Sequence, residues 1–134
     1  MNNLQYYRRW LFTLTATIFF VTIVLAQEKG TSDYGWLNGK WEGTPPQGGK
    51  VQMDMRVTNG NQVKGTGFIV QTGIRSKNTR QVEGIVDRDK VELTYFGVNE
   101  TIKYDLKFVD DKLVGTGTNP GLPKPVETIF VKLK

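Results

Sequence analysis

The chain has 134 residues, with 18 Lys+Arg against 13 Asp+Glu, a formal net charge of +5, and neither cysteine nor histidine. That length suits one domain. The missing residue types exclude a disulfide framework, a thiolate zinc site and a Cys nucleophile, and they remove the commonest general base and the commonest metal and haem ligand.

The N-terminus has the pattern of a cleavable secretory signal. Arg8 and Arg9 supply positive charge ahead of an uncharged, mostly apolar run from Trp10 to Leu25. Val24-Leu25-Ala26 then offers a cleavage site, with Gln27 as the first mature residue. The run is short for a membrane span and carries Thr13, Thr15, Thr17 and Thr22. The expectation is a signal over 1–26, a secreted or periplasmic location, and no membrane attachment after cleavage. Residues 27–35 read as a flexible polar leader and 36–134 as the folded domain. The basic residues form no run interleaved with aromatics, so no nucleic-acid partner is expected.

From Gly39 onward the chain is a series of short period-two segments divided by turn residues, which predicts strands throughout. The first strand is Gly39 to Thr44, ended by Pro45-Pro46-Gln47-Gly48-Gly49. The second, Lys50 to Thr58, alternates Val51, Met53, Met55 and Val57 with polar residues. Asn59-Gly60-Asn61 is a tight hairpin signal. The third runs from Gln62 to Val70, and Gln71 to Thr79 is the longest connection. The fourth is Arg80 to Val86, turned by Asp87-Arg88-Asp89. The fifth, Lys90 to Phe96, aligns Val91, Leu93 and Tyr95. Gly97-Val98-Asn99 leads to the sixth, Glu100 to Phe108, which aligns Ile102, Tyr104, Leu106 and Phe108. Val109-Asp110-Asp111 leads to the seventh, Lys112 to Thr118. After the Pro/Gly link Asn119 to Pro125, the eighth spans Val126 to Lys134 and aligns Ile129, Val131 and Leu133.

Gln62-Val63-Lys64-Gly65-Thr66-Gly67 is echoed by Lys112-Leu113-Val114-Gly115-Thr116-Gly117. The same hairpin chemistry is used twice. Glycines inside strands mark bends or places without room for a side chain. Eight short antiparallel strands joined in sequence predict an all-β, eight-stranded up-and-down barrel, which also removes exposed edges. Such a barrel is just wide enough to fill with side chains or to hold one small ligand.

Alternate connections of a meander fall at opposite ends. The first, third, fifth and seventh links gather at a loop-rich end, and the short second, fourth and sixth seal the other. Trp41 enters near the sealed end, where its ring would plug the floor. Loops on a rigid scaffold and barrel mouths are favoured binding places.

Leu37-x-Gly39-x-Trp41-x-Gly43 at the first strand, followed by Gly-Thr-Gly strands and a terminal apolar strand, resembles the calycin barrels, the lipocalin and avidin kind, and among them small secreted lipocalin-like domains of bacteria. The resemblance covers nearly all of the mature chain. It implies a meander barrel with an apolar cavity, structural roles for Gly39, Trp41 and Gly43, and no cofactor. Avidin-like chains carry a polar residue where this chain has Gly43 and a tyrosine where it has Gly67. The tryptophans that wall a biotin pocket are missing too, so biotin is not expected. Haem-binding relatives need an iron ligand that this chain lacks.

Candidate ligand-binding residues cluster at the loop-rich end. Tyr95 lies near it and Tyr104 deeper. A buried phenol needs a hydrogen-bond partner, and the barrel's own backbone competes with a ligand for that part. Arg75, Lys77 and Arg80, with Lys50 and Lys124 at the same end, would suit an acidic headgroup. Ile74 and Leu122 are apolar residues in links and could fold over the mouth or meet a partner. Glu42, Glu83, Glu92, Glu100 and Glu127 are scattered singly, so no catalytic pair is read from them and no enzyme is expected.

The expected function is binding of a small hydrophobic or acidic ligand at the mouth. The alternative is a non-catalytic envelope or interaction module with a solid barrel, binding protein or glycan through its outer face or loops.

Overall fold

The computed structural model describes residues 33–71, 74–75 and 78–134, without the side chains of 71, 74 and 75. The expected signal, most of the leader, Lys77 and the side chains of Ile74 and Arg75 lie outside the described residues. Among the described residues no helix is long and apolar enough to cross a membrane.

A 3-10 turn, η1 (Gly35–Leu37), precedes nine strands: β1 (Gly39–Gly43), β2 (Lys50–Thr58), β3 (Gln62–Gln71), β4 (Ile74–Arg75), β5 (Arg80–Asp87), β6 (Lys90–Phe96), β7 (Thr101–Val109), β8 (Lys112–Thr118) and β9 (Val126–Lys132). Each long strand pairs antiparallel with the next, and β9 returns to β1 through Glu42↔Val131 and Trp41↔Lys132. The result is the expected eight-stranded up-and-down barrel. The extra strand, β4, folds back on the end of β3 with Val70↔Arg75 and Gln71↔Ile74, so part of the longest link is itself paired.

The sealed end is built from left-handed turns. Asn59 (φ 49°) and Gly60 (φ 85°) join β2 to β3, and Asp110 (φ 49°) and Asp111 (φ 62°) join β7 to β8. Two successive positive φ values give a turn whose twist matches the flanking strands, and Asn, Asp and Gly tolerate that geometry best.

Inside the barrel, wide side chains sit opposite glycines. Met53 pairs with Gly67 and Met55 with Gly65, while Tyr104 pairs with Gly117 and Leu106 with Gly115. A β-carbon on Gly65 would strike the carbonyl of Asp54, and one on Gly115 would strike that of Asp105. The two echoed hexapeptides therefore meet the same requirement at two places: a strand that bends hard against its neighbour, with space for a large partner.

The floor is thicker than a single indole. Trp41 is 1% exposed, and its Nε1 donates to the Leu37 carbonyl at 2.9 Å, tying β1 to η1. Leu37 is fully buried in the core beneath it. Trp36 stacks on Phe108 with ring centroids 4.1 Å apart. The backbone N–H of Arg88 donates to the Tyr34 hydroxyl at 3.0 Å. Tyr34, expected in the leader, thus packs with the barrel, and Gly35 opens η1. Lys132 crosses the same end, donating from Nζ to the Trp36 carbonyl at 2.8 Å and lying 5.6 Å from the centre of the Trp41 ring. Gly39 accommodates it: φ there is +121°, and a β-carbon would sit 3.2 Å from Lys132 Cε.

The last strand aligns Ile129, Val131 and Leu133 as expected, and the structure decides which way that parity points. Ile129, Val131 and Leu133 face outward, and Thr128 and Phe130 face the interior. Phe130 is buried because Gly43 leaves room for its ring.

Candidate functional site

Because successive strands are antiparallel, the links after β1, β3, β6 and β8 share one pole, as the alternation of link lengths predicts. The link between β1 and β2 folds across this rim. Gly48 N–H donates to the Pro45 carbonyl at 3.0 Å, closing a turn. Pro45 is buried. Pro46 lies over Gly117, 3.1 Å from where a β-carbon would stand. Gln47 Nε2 then reaches the link between β6 and β7 and donates to Glu100 Oε1 at 3.2 Å. Thr128 Oγ1 anchors the start of the link by donating to the Thr44 carbonyl at 2.7 Å.

Two tyrosines lie under this cover. Tyr104 meets the Phe130 ring edge-on, with centroids 5.1 Å apart and planes at 87°. Its hydroxyl is buried and has no hydrogen-bond partner among the described residues. The backbone bond that competed with a ligand in the sequence reading does not form at Tyr104. Burial pushes the phenol far above its usual ionisation range, and the nearby Tyr95 and Glu100 push it in the same direction. The Tyr95 phenol is also raised by burial, with the Arg80 guanidinium pulling back.

Arg80 is held in place from behind. Its Nε donates to the Phe96 carbonyl at 3.0 Å and its Nη2 to the Gly97 carbonyl at 3.2 Å. The guanidinium therefore braces the β6–β7 link while keeping its charge beside Tyr95. Asn119, buried at the opposite part of the rim, accepts from the Gly121 N–H at 2.9 Å through Oδ1, and its carbonyl accepts from the Leu122 N–H at 3.1 Å. Leu122 is half-buried in that turn.

Of the other expected basic residues, Lys50 and Lys124 are not gathered with Arg80. Lys50 lies on the outer wall, 3.4 Å from Glu42. Lys124 is exposed in the last link. The backbone of Arg75 pairs with Val70, and Ile74 pairs with Gln71. Glu42 also accepts from Gln52 Nε2 at 2.8 Å, and this bond, with Lys50, holds its carboxyl below the usual range despite some burial.

Below the tyrosines the barrel is occupied by protein. Met53, Met55, Leu93, Leu106, Trp41 and Leu37 are all buried in one cluster. Among the described residues, depressions lie on the outside. One, of about 400 Å³, is flanked by Ile85 and Phe96 on the wall formed by β3, β5 and β6. Another, of about 270 Å³, lies beside Thr101, Thr118 and Pro120 at the outer rim.

Sequence reasoning placed Tyr95 and Tyr104 inward and Arg80 at this end, because inward parity and position along the strand are local properties. It missed the Gln47–Glu100 bridge and the place of Phe130. Gly43, two residues after Trp41, was the available signal for Phe130, since an inward glycine implies a large neighbour. Compared with protein-family models and with curated protein sequences, the chain matches none.

Proposed function

We propose that this protein is a secreted or periplasmic lipocalin-like barrel that binds a small, mostly apolar ligand at its loop-rich end. The observation that carries the reading is the Tyr104 hydroxyl, buried without a partner beneath the cover of the β1–β2 link. Leaving such a group unsatisfied costs about 1–3 kcal/mol. A ligand atom that accepts its proton recovers that cost and gains the apolar contact of the Tyr104 and Phe130 rings.

The ligand is small, because side chains fill the barrel below this level. Its polar end is better a carbonyl or ether oxygen than an anion. An anion would approach the Glu100 carboxylate as well as the Arg80 guanidinium, and neither Lys50 nor Lys124 converges there. Access runs past the Gln47–Glu100 hydrogen bond, which is exposed and cheap to break.

The test is native mass spectrometry of the protein recovered from its own host, wild type beside Tyr104→Phe. The wild type carries a small molecule that the variant loses while keeping its fold. If neither form carries one, and a high-resolution crystal structure shows an ordered water on the Tyr104 hydroxyl, the mouth is not a ligand site. The solid-barrel interaction module then replaces this reading.

A further inference from the structure

The depression of about 270 Å³ at the outer rim lies between β7 and the start of the last link. Thr101 and Lys103 border it from β7, Thr118 from the end of β8, and Asn119 and Pro120 from the link that follows. Strand alternation brings this set together. Ile102 and Tyr104 face the core, so Thr101 and Lys103 face outward, and Thr118 lies directly across from Lys103.

Every polar side chain in the set can donate a hydrogen bond, and none is acidic. The cross-strand partners of Lys103 on both sides, Thr94 and Thr118, are neutral. Among the described residues Lys103 takes part in no ion pair. The nearby acids are turned elsewhere. Asp105 shares the outward face of β7, but one row toward the floor, opposite Thr116. Glu100 precedes Thr101 in the chain, and its carboxylate accepts from Gln47.

Asn119 gives the hollow a fixed donor. It is 8% exposed, and its Oδ1 accepts from the Gly121 N–H at 2.9 Å. That bond decides which half of the amide is left over: among the described residues, Nδ2 has no acceptor. One buried amide donor, two hydroxyls and an unpaired ammonium around one hollow suit the oxygens of an anion, because hydrogen bonds between ionised partners are the strong ones. A cation would be repelled, and a neutral ligand would leave the ammonium without a countercharge. Pro120 adds an apolar side against which the rest of a small molecule can lie.

We propose that this outer-rim hollow is a second binding site, separate from the mouth, that takes the oxyanion end of a small molecule, a phosphate or a carboxylate, on Lys103, Thr101, Thr118 and the Asn119 amide.

NMR titration of the isotope-labelled full chain tests this, with inorganic phosphate and acetate as separate probes. Constant ionic strength holds general screening fixed. At least one probe shifts the Asn119 side-chain amide and the backbone amides of Thr101 and Thr118 saturably, and the tighter probe names the head group. Lys103→Gln weakens that binding by at least about tenfold, the loss of one charge-assisted bond. Lys90→Gln, which changes an exposed lysine at the floor, leaves it unaltered. Asn119→Asp keeps an oxygen for the Gly121 N–H and replaces the donor by a repelling charge, so binding is lost while the turn remains. Shifts that never saturate, that centre on Arg80, or that survive Lys103→Gln overturn the proposal. The mouth reading stands or falls separately, since Tyr104 takes no part here.

Discussion

The ring of Phe130 lies across Gly43 so closely that a β-carbon on that glycine would stand 2.6 Å from Cδ1. These two residues belong to β9 and β1, the pair that closes the barrel, so their fit bears on closure itself. Gly43→Ala is expected to force the ring or the strand to shift, at a cost of about 1–3 kcal/mol. Urea unfolding measures it. Adding Phe130→Leu should recover part of the loss, whereas in the Gly43 background the same replacement should be destabilising.

Gly65 and Gly115 should respond alike. A β-carbon at either meets a backbone carbonyl of the neighbouring strand, and backbone cannot step aside as a flexible side chain can. Alanine at either position is expected to cost more than about 3 kcal/mol, the range of severe core disruption. Gly48→Ala is the control. Its φ is +90° with nothing within 4 Å, so it should lose only about 1 kcal/mol for the left-handed backbone. Thermal melts of the three variants rank them.

Trp41→Phe keeps an aromatic ring in the floor but leaves the Leu37 carbonyl, at 2.9 Å from Nε1, without its donor. The orphaned acceptor and the lost ring volume together are expected to cost about 2–4 kcal/mol. Amide hydrogen exchange should show η1 opening first, because that bond ties the turn to β1.

Tyr104→Phe removes a buried hydroxyl that has no partner. In ligand-free protein the change is expected to be neutral or to stabilise by about 1 kcal/mol. The alkaline limb gives a second reading. An unfolded tyrosine ionises near 10.0, while the folded phenol is held well above that. Above that pH the unfolded state loses a proton that the native state keeps, so stability falls as pH rises, by up to about 1.4 kcal/mol per pH unit. Denaturant midpoints from pH 8 to pH 11.5 should show this decline in wild type and a shallower one in Tyr104→Phe. Tyr95 supplies the smaller remainder, since its shift has the same sign.

Arg80→Lys tests whether the rim depends on the fork of the guanidinium. Lysine cannot reproduce two separate donations to Phe96 and Gly97. The expected cost is about 1–2 kcal/mol, with faster amide exchange confined to residues 97–100.

The chain alone determined the eight barrel strands, the turns and the segregation of long and short links, though not the short β4 within the longest link. Those follow from side-chain alternation and from turn chemistry at Asn59-Gly60 and Asp110-Asp111, all of which act over a few residues. It also placed Tyr95 and Tyr104 inward, because every apolar neighbour of their parity agreed. The last strand was different: both of its faces carry large apolar residues, and local pattern does not choose between them. The choice was made across the seam, where Gly43 admits Phe130 and leaves Ile129 and Val131 outside. The floor of Tyr34, Trp36, Leu37 and Lys132, the cover formed by Gln47 and Glu100, and the unpartnered Tyr104 hydroxyl were likewise settled only by tertiary structure. Each depends on volumes and hydrogen-bond partners that meet only when distant strands close into a ring.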